Sequence, residues 1–317
     1  MLQPDAFGAF ILVLANSLQD EASRSALSVA LSRAWQHLRS RIDVPGLSIA
    51  PDDDKVFRKL ETIDPGRLSI WRTVLQGDWE INLNPMRALR PPRASSEVVS
   101  TLYRPFDASS FNFNKPFLAP EILWEGVWRD CSFRVLYNKF PFAPYHLLLV
   151  PKPQLEQPQF LTREYHELIS VLAAEMAACI PGFMIAFNSI GAGASVNQLH
   201  FQSFVRETPL PVELDKWNHN GGNDVYPLTC TRFEDADEAW RRIEDLHQAN
   251  SAYNLLYREK ACYVIKRRMQ GDENIDPDIR GAGWIELCGI FNVPDEVALR
   301  SLGPDILTRR LRSLACN

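Results

Sequence analysis

No two cysteines in this chain form a C-x-x-C pair. The six (Cys131, Cys179, Cys230, Cys262, Cys288 and Cys316) are scattered. Neither a redox motif nor a zinc site is written in that spacing, and buried free thiols are expected, as in Ala177-Ala178-Cys179-Ile180. A membrane-length apolar run is also missing. Phe7 to Ala15 is too short to span a bilayer and has no basic flank before it. Nor is there an excess of positive charge. The net charge of -5 gives no general reason to expect nucleic-acid binding, so an anionic ligand must be met by a local group of Lys and Arg. These absences point to a soluble protein in a reducing, cytoplasmic setting, with neither membrane nor nucleic acid as partner.

What is present fits a globular chain. With 317 residues, 46% of them hydrophobic and 23% charged, there is material for one large or two smaller domains. Residues 17 to 39 are predicted as a helix, with Ser17 as N-cap, Asp20 three residues later, and Leu27, Leu31, Trp35 and Leu38 inward. Val44 to Asp54, with its three consecutive aspartates, reads as a solvated turn. Strands are predicted over Leu68–Leu75 and Trp79–Leu83 across Gly77-Asp78, then over Val127–Asn138 and His146–Val150. Thr162 to Cys179 is the clearest helix, with Leu168, Val171, Leu172 and Met176 on its apolar face. After a loop over Asp215–Asp224 come a helix from Glu234 to Ala249, two strands across Arg258-Glu259-Lys260, and a terminal helix from Asp295. The order predicts an α+β fold with helices segregated from an antiparallel sheet.

The most informative stretch is FMIAFNSIGAGASVNQLHFQSFVR, Phe183 to Arg206. It reads as strand, small-residue loop, strand. Gly191, Ala192, Gly193, Ala194 and Ser195 are small enough to let backbone amides approach a ligand. If the second strand begins at Gln198, then Gln198, His200 and Gln202 share one face and an imidazole lies between two carboxamides. Taken alone, a strand histidine is more often a satisfied core residue. Asn188, the loop and Gln202 at these spacings turn the reading toward catalysis.

The run NSIGAGASVNQLHFQSF resembles the active-site segment of the histidine-triad superfamily, most closely the branch of GDP-hexose phosphorylases. The superfamily pattern is His-x-His-x-His, often with Gln third in transferases. Here its positions are Gln198, His200 and Gln202. The resemblance implies that His200 is the nucleophile and that Gln202 is catalytic beside it. Gln198 departs from the usual first histidine, and a carboxamide there can donate to a phosphate but cannot deliver a proton. Gln198, Asn188, Gly191, Gly193 and Ser195 are implied substrate contacts. INLNPMRALRPP and RPFDASSFNFNK resemble segments upstream of the family's core, which turns Arg87 and Lys115 from solvated charges toward nucleotide or phosphate contacts. The same loop carries Arg90 and Arg93. NKFPFAPYHLLLVPK resembles the family's Asn-x-x-P turn leading to Gly-His, with Tyr145 in place of the glycine. It puts His146 near the ligand, against an equally weighted structural role. Lys139 and Lys152 read equally well as surface charges.

NLLYREKACYVIKR faintly echoes VLYNKFPFAPYHLLLVPK, a degenerate internal repeat. The division expected is an N-terminal helical extension over 1–67, a catalytic histidine-triad-like half over 68–213, and a degenerate second half over 214–317. By the resemblance, the chain is a nucleotidyltransferase that cleaves a nucleoside diphosphate hexose, GDP-hexose above others, with inorganic phosphate through a nucleotidyl-histidine. The alternatives are a dinucleoside polyphosphate phosphorylase and a nucleotide-binding protein without turnover. No cofactor and no metal are expected. The partners are the nucleotide sugar and phosphate, and a homodimer is compatible with them.

Overall fold

The computed structural model describes residues 6–47, 49–89 and 98–316. Helices α1 (Ala6–Ser17), α2 (Glu21–Arg39) and α3 (Pro51–Ile63) precede the hairpin β1 (Arg72–Gln76) and β2 (Trp79–Leu83). Next come β3 (Ile122–Trp128), β4 (Cys131–Tyr137), β5 (Leu147–Pro151), α4 (Arg163–Cys179), β6 (Phe183–Asn188) and β7 (Phe201–Val205). The chain continues through β8 (Thr229–Phe233), α5 (Ala236–Gln248), β9 (Tyr253–Tyr257) and β10 (Cys262–Lys266). It closes with α6 (Trp284–Leu287), β11 (Ile290–Val293), α7 (Glu296–Ser301) and α8 (Pro304–Ser313).

The main sheet has eight antiparallel strands in the order β3-β4-β5-β7-β6-β9-β10-β8. β6 lies near its middle and is buried on both faces, which is why FMIAF is an unbroken apolar run. Its residues divide by the pleat. Ile185 and Phe187 join Tyr165 and Ile169 of α4 and Ile243 of α5 in one core. Met184 and Ala186 join Trp79, Phe204 and Trp284 in the other. A smaller sheet, β1-β2-β11, lies in that second core, and β11 runs parallel to β2. The fold is therefore α+β, and residues 290–293 return to the hairpin at 72–83. The neighbour order β5-β7-β6 with α4 recurs as β8-β10-β9 with α5, and β6 and β9 meet side by side. In that order β9–β10 corresponds to β6–β7, not to the β4–β5 stretch that its sequence echoes.

Several predicted boundaries move for identifiable reasons. The helix expected over 17–39 is two helices. The Ser17 hydroxyl bonds the Leu14 carbonyl at the end of α1, and Asp20 caps α2 by accepting from the Ser23 N–H at 2.7 Å. The acidic run is the first turn of α3 behind Pro51, where carboxylates favour the positive helix end. The strand expected over 127–138 is a hairpin, because Arg129 and Asp130 both take positive φ and reverse the chain in two residues. The buried stripe of α4 is Tyr165, Ile169 and Ala173, flanked by Leu168, Leu172 and Met176, whereas Val171 is exposed. Cys179 is exposed as well, while Cys131, Cys262 and Cys288 are buried, and all six thiols are free. Tyr145 sits at φ +52, a left-handed backbone that favours glycine. No helix among the described residues is long and apolar enough to cross a membrane.

Candidate active site

β6 ends at Asn188 and β7 starts at Phe201, so twelve residues connect two adjacent strands. β7 starts later than the sequence suggested, and of the three motif positions only Gln202 lies within it. The reason is in the backbone hydrogen bonds. The Leu199 N–H goes to the Gln157 carbonyl at 2.8 Å, and the His200 N–H to Gln159 Oε1 at 2.8 Å. Gln159 then returns its amide to the carbonyls of Asn188 at 2.9 Å and His200 at 3.1 Å. One buried carboxamide thus holds both ends of the loop. Sequence reasoning missed Gln159, since nothing in its neighbours distinguishes it from a surface Gln.

This loop opens on a cleft of about 360 Å³ whose walls include His200, Gln202, Asn188, Gly193, Ser195 and Arg87. His200 is buried, and Nδ1 lies 2.7 Å from the Gln198 carbonyl oxygen. A carbonyl only accepts, so Nδ1 carries the proton and Nε2 keeps its lone pair. Burial pulls the His200 pKa down to about 4, against the opposing pull of the Gln198 carbonyl. The imidazole is uncharged at neutral pH. The Phe113 ring packs against it with centroids 5.0 Å apart.

Gln202 is fixed by neighbours from distant parts of the chain. Its Oε1 accepts from Trp284 Nε1–H at 2.9 Å and lies 3.0 Å from His146 Nε2. His146 is fully buried and lies against Phe142, so it stands behind Gln202 and not on the cleft wall. Asn188 is fixed in a similar way: Oδ1 accepts from the Trp284 backbone N–H at 2.9 Å and from Asn254 Nδ2 at 2.6 Å. Trp284 and Asn254 come from the last third of the chain and carry no local motif.

Besides His146, three expected contacts fall outside the cleft wall. The Gln198 side chain turns away, accepting from the Phe113 N–H at 2.7 Å and donating to the Pro153 carbonyl at 3.4 Å. What Gln198 brings to the site is its main-chain carbonyl. Lys115 donates to the Ala108 carbonyl at 2.8 Å. Gly191 packs under the loop at φ +77, where an added Cβ would come within 2.1 Å of Met269. Gly193 does reach the wall, at φ +91, and a Cβ there would come within 2.6 Å of the Ala282 carbonyl. Both positions require glycine.

Charge at the cleft is uneven. Arg87 lies 5.0 Å over the Phe142 ring, and burial lowers its pKa against the pull of Glu286. Among the described residues it has no ion pair. Arg90 and Arg93 lie outside the described residues. Lys139 also lines the cleft, and is no surface charge. Its ammonium lies 2.8 Å from Asp53 and 2.5 Å from Glu121, with all three side chains largely buried. Burial lowers its pKa, but the two carboxylates outweigh burial and raise it overall. Lys152 pairs with the exposed Glu164. Phe111, Phe113, Phe117, Leu136, Leu148 and Val196 form an apolar wall. His166, on α4, is a satisfied core residue held by the Tyr257 hydroxyl and the Ala236 carbonyl, each at 2.9 Å. No group of three metal-ligating side chains occurs among the described residues.

The family model described as GDPGP1-like, N-terminal domain matches residues 70–204. GDP-D-glucose phosphorylase 1 of Danio rerio is 35% identical over 135 residues, 41% of this chain and 37% of that protein. The chain spans about a third of the length of the GDP-D-glucose phosphorylases it matches. An uncharacterized HIT-like protein of Chlamydia trachomatis is 32% identical over 81 residues, 23% of this chain and 73% of that protein. Among solved structures, yeast Ap4A phosphorylase Apa2 in complex with AMP superposes with a TM-score of 0.55. It is 17% identical and covers 84% of this chain and 97% of its own. That likeness is one of fold.

Proposed function

We propose, from the premise that this chain belongs to the histidine-triad superfamily on its GDP-hexose phosphorylase branch, that it is a nucleotidyltransferase cleaving GDP-hexose with inorganic phosphate. The observation that carries the reading is the state of His200. It is a neutral imidazole whose Nδ1–H is tied to the Gln198 carbonyl, and its Nε2 has no hydrogen-bond partner among the described residues of the cleft.

In the first step Nε2 attacks the α-phosphorus, and the bond to the bridging oxygen breaks. That oxygen leaves with the β-phosphate as hexose 1-phosphate, taking the bonding pair. The imidazole gains positive charge as its N–P bond forms, and the Nδ1–H···O=C bond strengthens with it. In the second step an oxygen of inorganic phosphate attacks the same phosphorus. The N–P bond breaks, Nε2 recovers its lone pair, and GDP leaves. The leaving group is already a stable anion, so no strong general acid is required, and none is supplied by Gln198. Charge on the non-bridging oxygens is met by donors placed beforehand. Gln202 and Asn188 are suited to that role, and Arg87 to the charge of the chain of phosphates. The apolar wall of Phe111, Phe113 and Phe117 suits a nucleobase. The carboxylates Asp52 and Glu286 also line the cleft, as acceptors for hexose hydroxyls.

We read the repeated order β5-β7-β6 and β8-β10-β9 as support for two fused halves with one reaction centre, preceded by the helices of 1–67. The decisive experiment is brief incubation with GDP-glucose in the absence of phosphate. A GMP adduct on His200, absent in His200→Ala, is expected, and added phosphate should release it as GDP. An adduct that persists in His200→Ala would overturn the assignment. A panel with a dinucleoside polyphosphate in place of GDP-glucose identifies the preferred substrate, and nucleotide binding with no adduct or product would favour a binding protein.

A further inference from the structure

The two nitrogens of Trp284 can only donate. Its indole N–H reaches Gln202 Oε1 and its backbone N–H reaches Asn188 Oδ1, each at 2.9 Å. Neither nitrogen can accept a hydrogen bond, so the oxygen of each carboxamide, and not its NH₂, must face Trp284. A second nitrogen stands at each oxygen: His146 Nε2 at Gln202, and Asn254 Nδ2 at Asn188. With the oxygens so held, both NH₂ groups are directed elsewhere. Gln202 and Asn188 both line the cleft with His200, and among the described residues neither NH₂ has a hydrogen-bond partner.

The indole is itself anchored. Trp284 is fully buried, stacked 4.5 Å from Phe204 and tilted against Phe142 at 5.6 Å. Gly283, just before it, leaves room at one of the donors, since a Cβ there would come within 3.3 Å of Asn188 Nδ2. Residue 284 lies outside the 70–204 match, in a stretch that no comparison assigns to the site.

We propose that Trp284 is a positioning residue that locks Gln202 and Asn188 as fixed N–H donors toward the non-bridging oxygens of the phosphate at His200. The proposal rests on the reading of His200 as the nucleophile. As Nε2 bonds to phosphorus, those oxygens gain negative charge, and two uncharged donors already aimed at them need no reorganisation. A carboxamide free to flip could turn its oxygen toward the same charge and repel it. The third motif position can thus be Gln because a distant Trp removes that freedom.

Trp284→Phe tests this, since it deletes the indole N–H and keeps both an aromatic ring and the backbone N–H. In ¹⁵N-labelled protein, the side-chain NH₂ resonances of Gln202 should shift or broaden, while those of Asn188 stay in place. With GDP-glucose and phosphate, kcat should fall about tenfold to a hundredfold with KM changed little. Gln202→Met should cost about a hundredfold or more, and the double variant no more than Gln202→Met alone. Unmoved Gln202 resonances, or losses that add in the double variant, would overturn the proposal. If Trp284→Phe fails to fold, the same measurements apply to the chain with benzothienylalanine at 284, which keeps the bicyclic shape without the N–H. An inert natural protein would defeat the phosphorylase reading instead, and the resonances would still decide whether Trp284 holds Gln202.

Discussion

Gln198 holds His200 through its main chain and not its side chain: the carbonyl lies 2.7 Å from Nδ1, while the carboxamide is bound to Phe113 and Pro153. The first motif position therefore acts as a scaffold for the second. Gln198→Ala should leave the Nδ1 contact in place and lose one buried and one part-buried hydrogen bond. A cost of about 1–3 kcal/mol in stability is expected, since the Phe113 N–H loses its acceptor. The rate of adduct formation should fall by less than tenfold. Denaturant unfolding and single-turnover kinetics check both, and a large rate loss with unchanged stability would restore Gln198 to the chemistry.

The neutral state of His200 sets two pH profiles. Its pKa of about 4 leaves Nε2 unprotonated down to pH near 5, so adduct formation without phosphate should stay level from pH 8 to about 5. A fall centred near the ordinary ~6.5 would refute this. For stability the sign is opposite to that of a paired histidine. Between about 6.5 and about 4 the unfolded chain takes a proton that the folded chain refuses, so stability is lost as pH falls through that window. His247, also held down to about 4 by burial, adds to the effect. His200→Gln should lose less stability than the natural protein over the same range.

Arg87 and Lys115, equals in the sequence, should separate in a binding assay. Arg87→Met removes a cation on the cleft wall and should weaken GDP binding by about tenfold to a hundredfold. Lys115→Met removes a cation bonded to the Ala108 carbonyl and should change affinity by less than twofold. Equal losses in calorimetric titrations would show that Lys115 reaches the ligand after all.

Lys139 ties α3 to the sheet through Asp53 and to Glu121 beside it. Lys139→Met removes the buried ammonium that Asp53 and Glu121 share, at a cost of about 3–5 kcal/mol. An unchanged melting temperature at neutral pH would mean that the three groups are solvated.

Much of this arrangement was written locally. FMIAF is apolar throughout because β6 is covered on both faces, and Thr162–Cys179 has a helical period, so both elements were legible. Gly193 beside His200 and Gln202 marked the site, because a positive-φ glycine and a polar residue facing a cleft keep their signature in a short window. The residues that set the state of the site left no such trace. Gln159, Asn254 and Trp284 act through hydrogen bonds that reach across 41, 66 and 82 residues. A hydrogen bond fixes a distance and a direction in space, and places no demand on neighbours in the chain. The sequence alone determined that β6 is a buried strand, where the loop is tight and which imidazole stands there. Only the tertiary structure decided which ring nitrogen is free, which way each carboxamide points, and that Gln198 contributes its carbonyl.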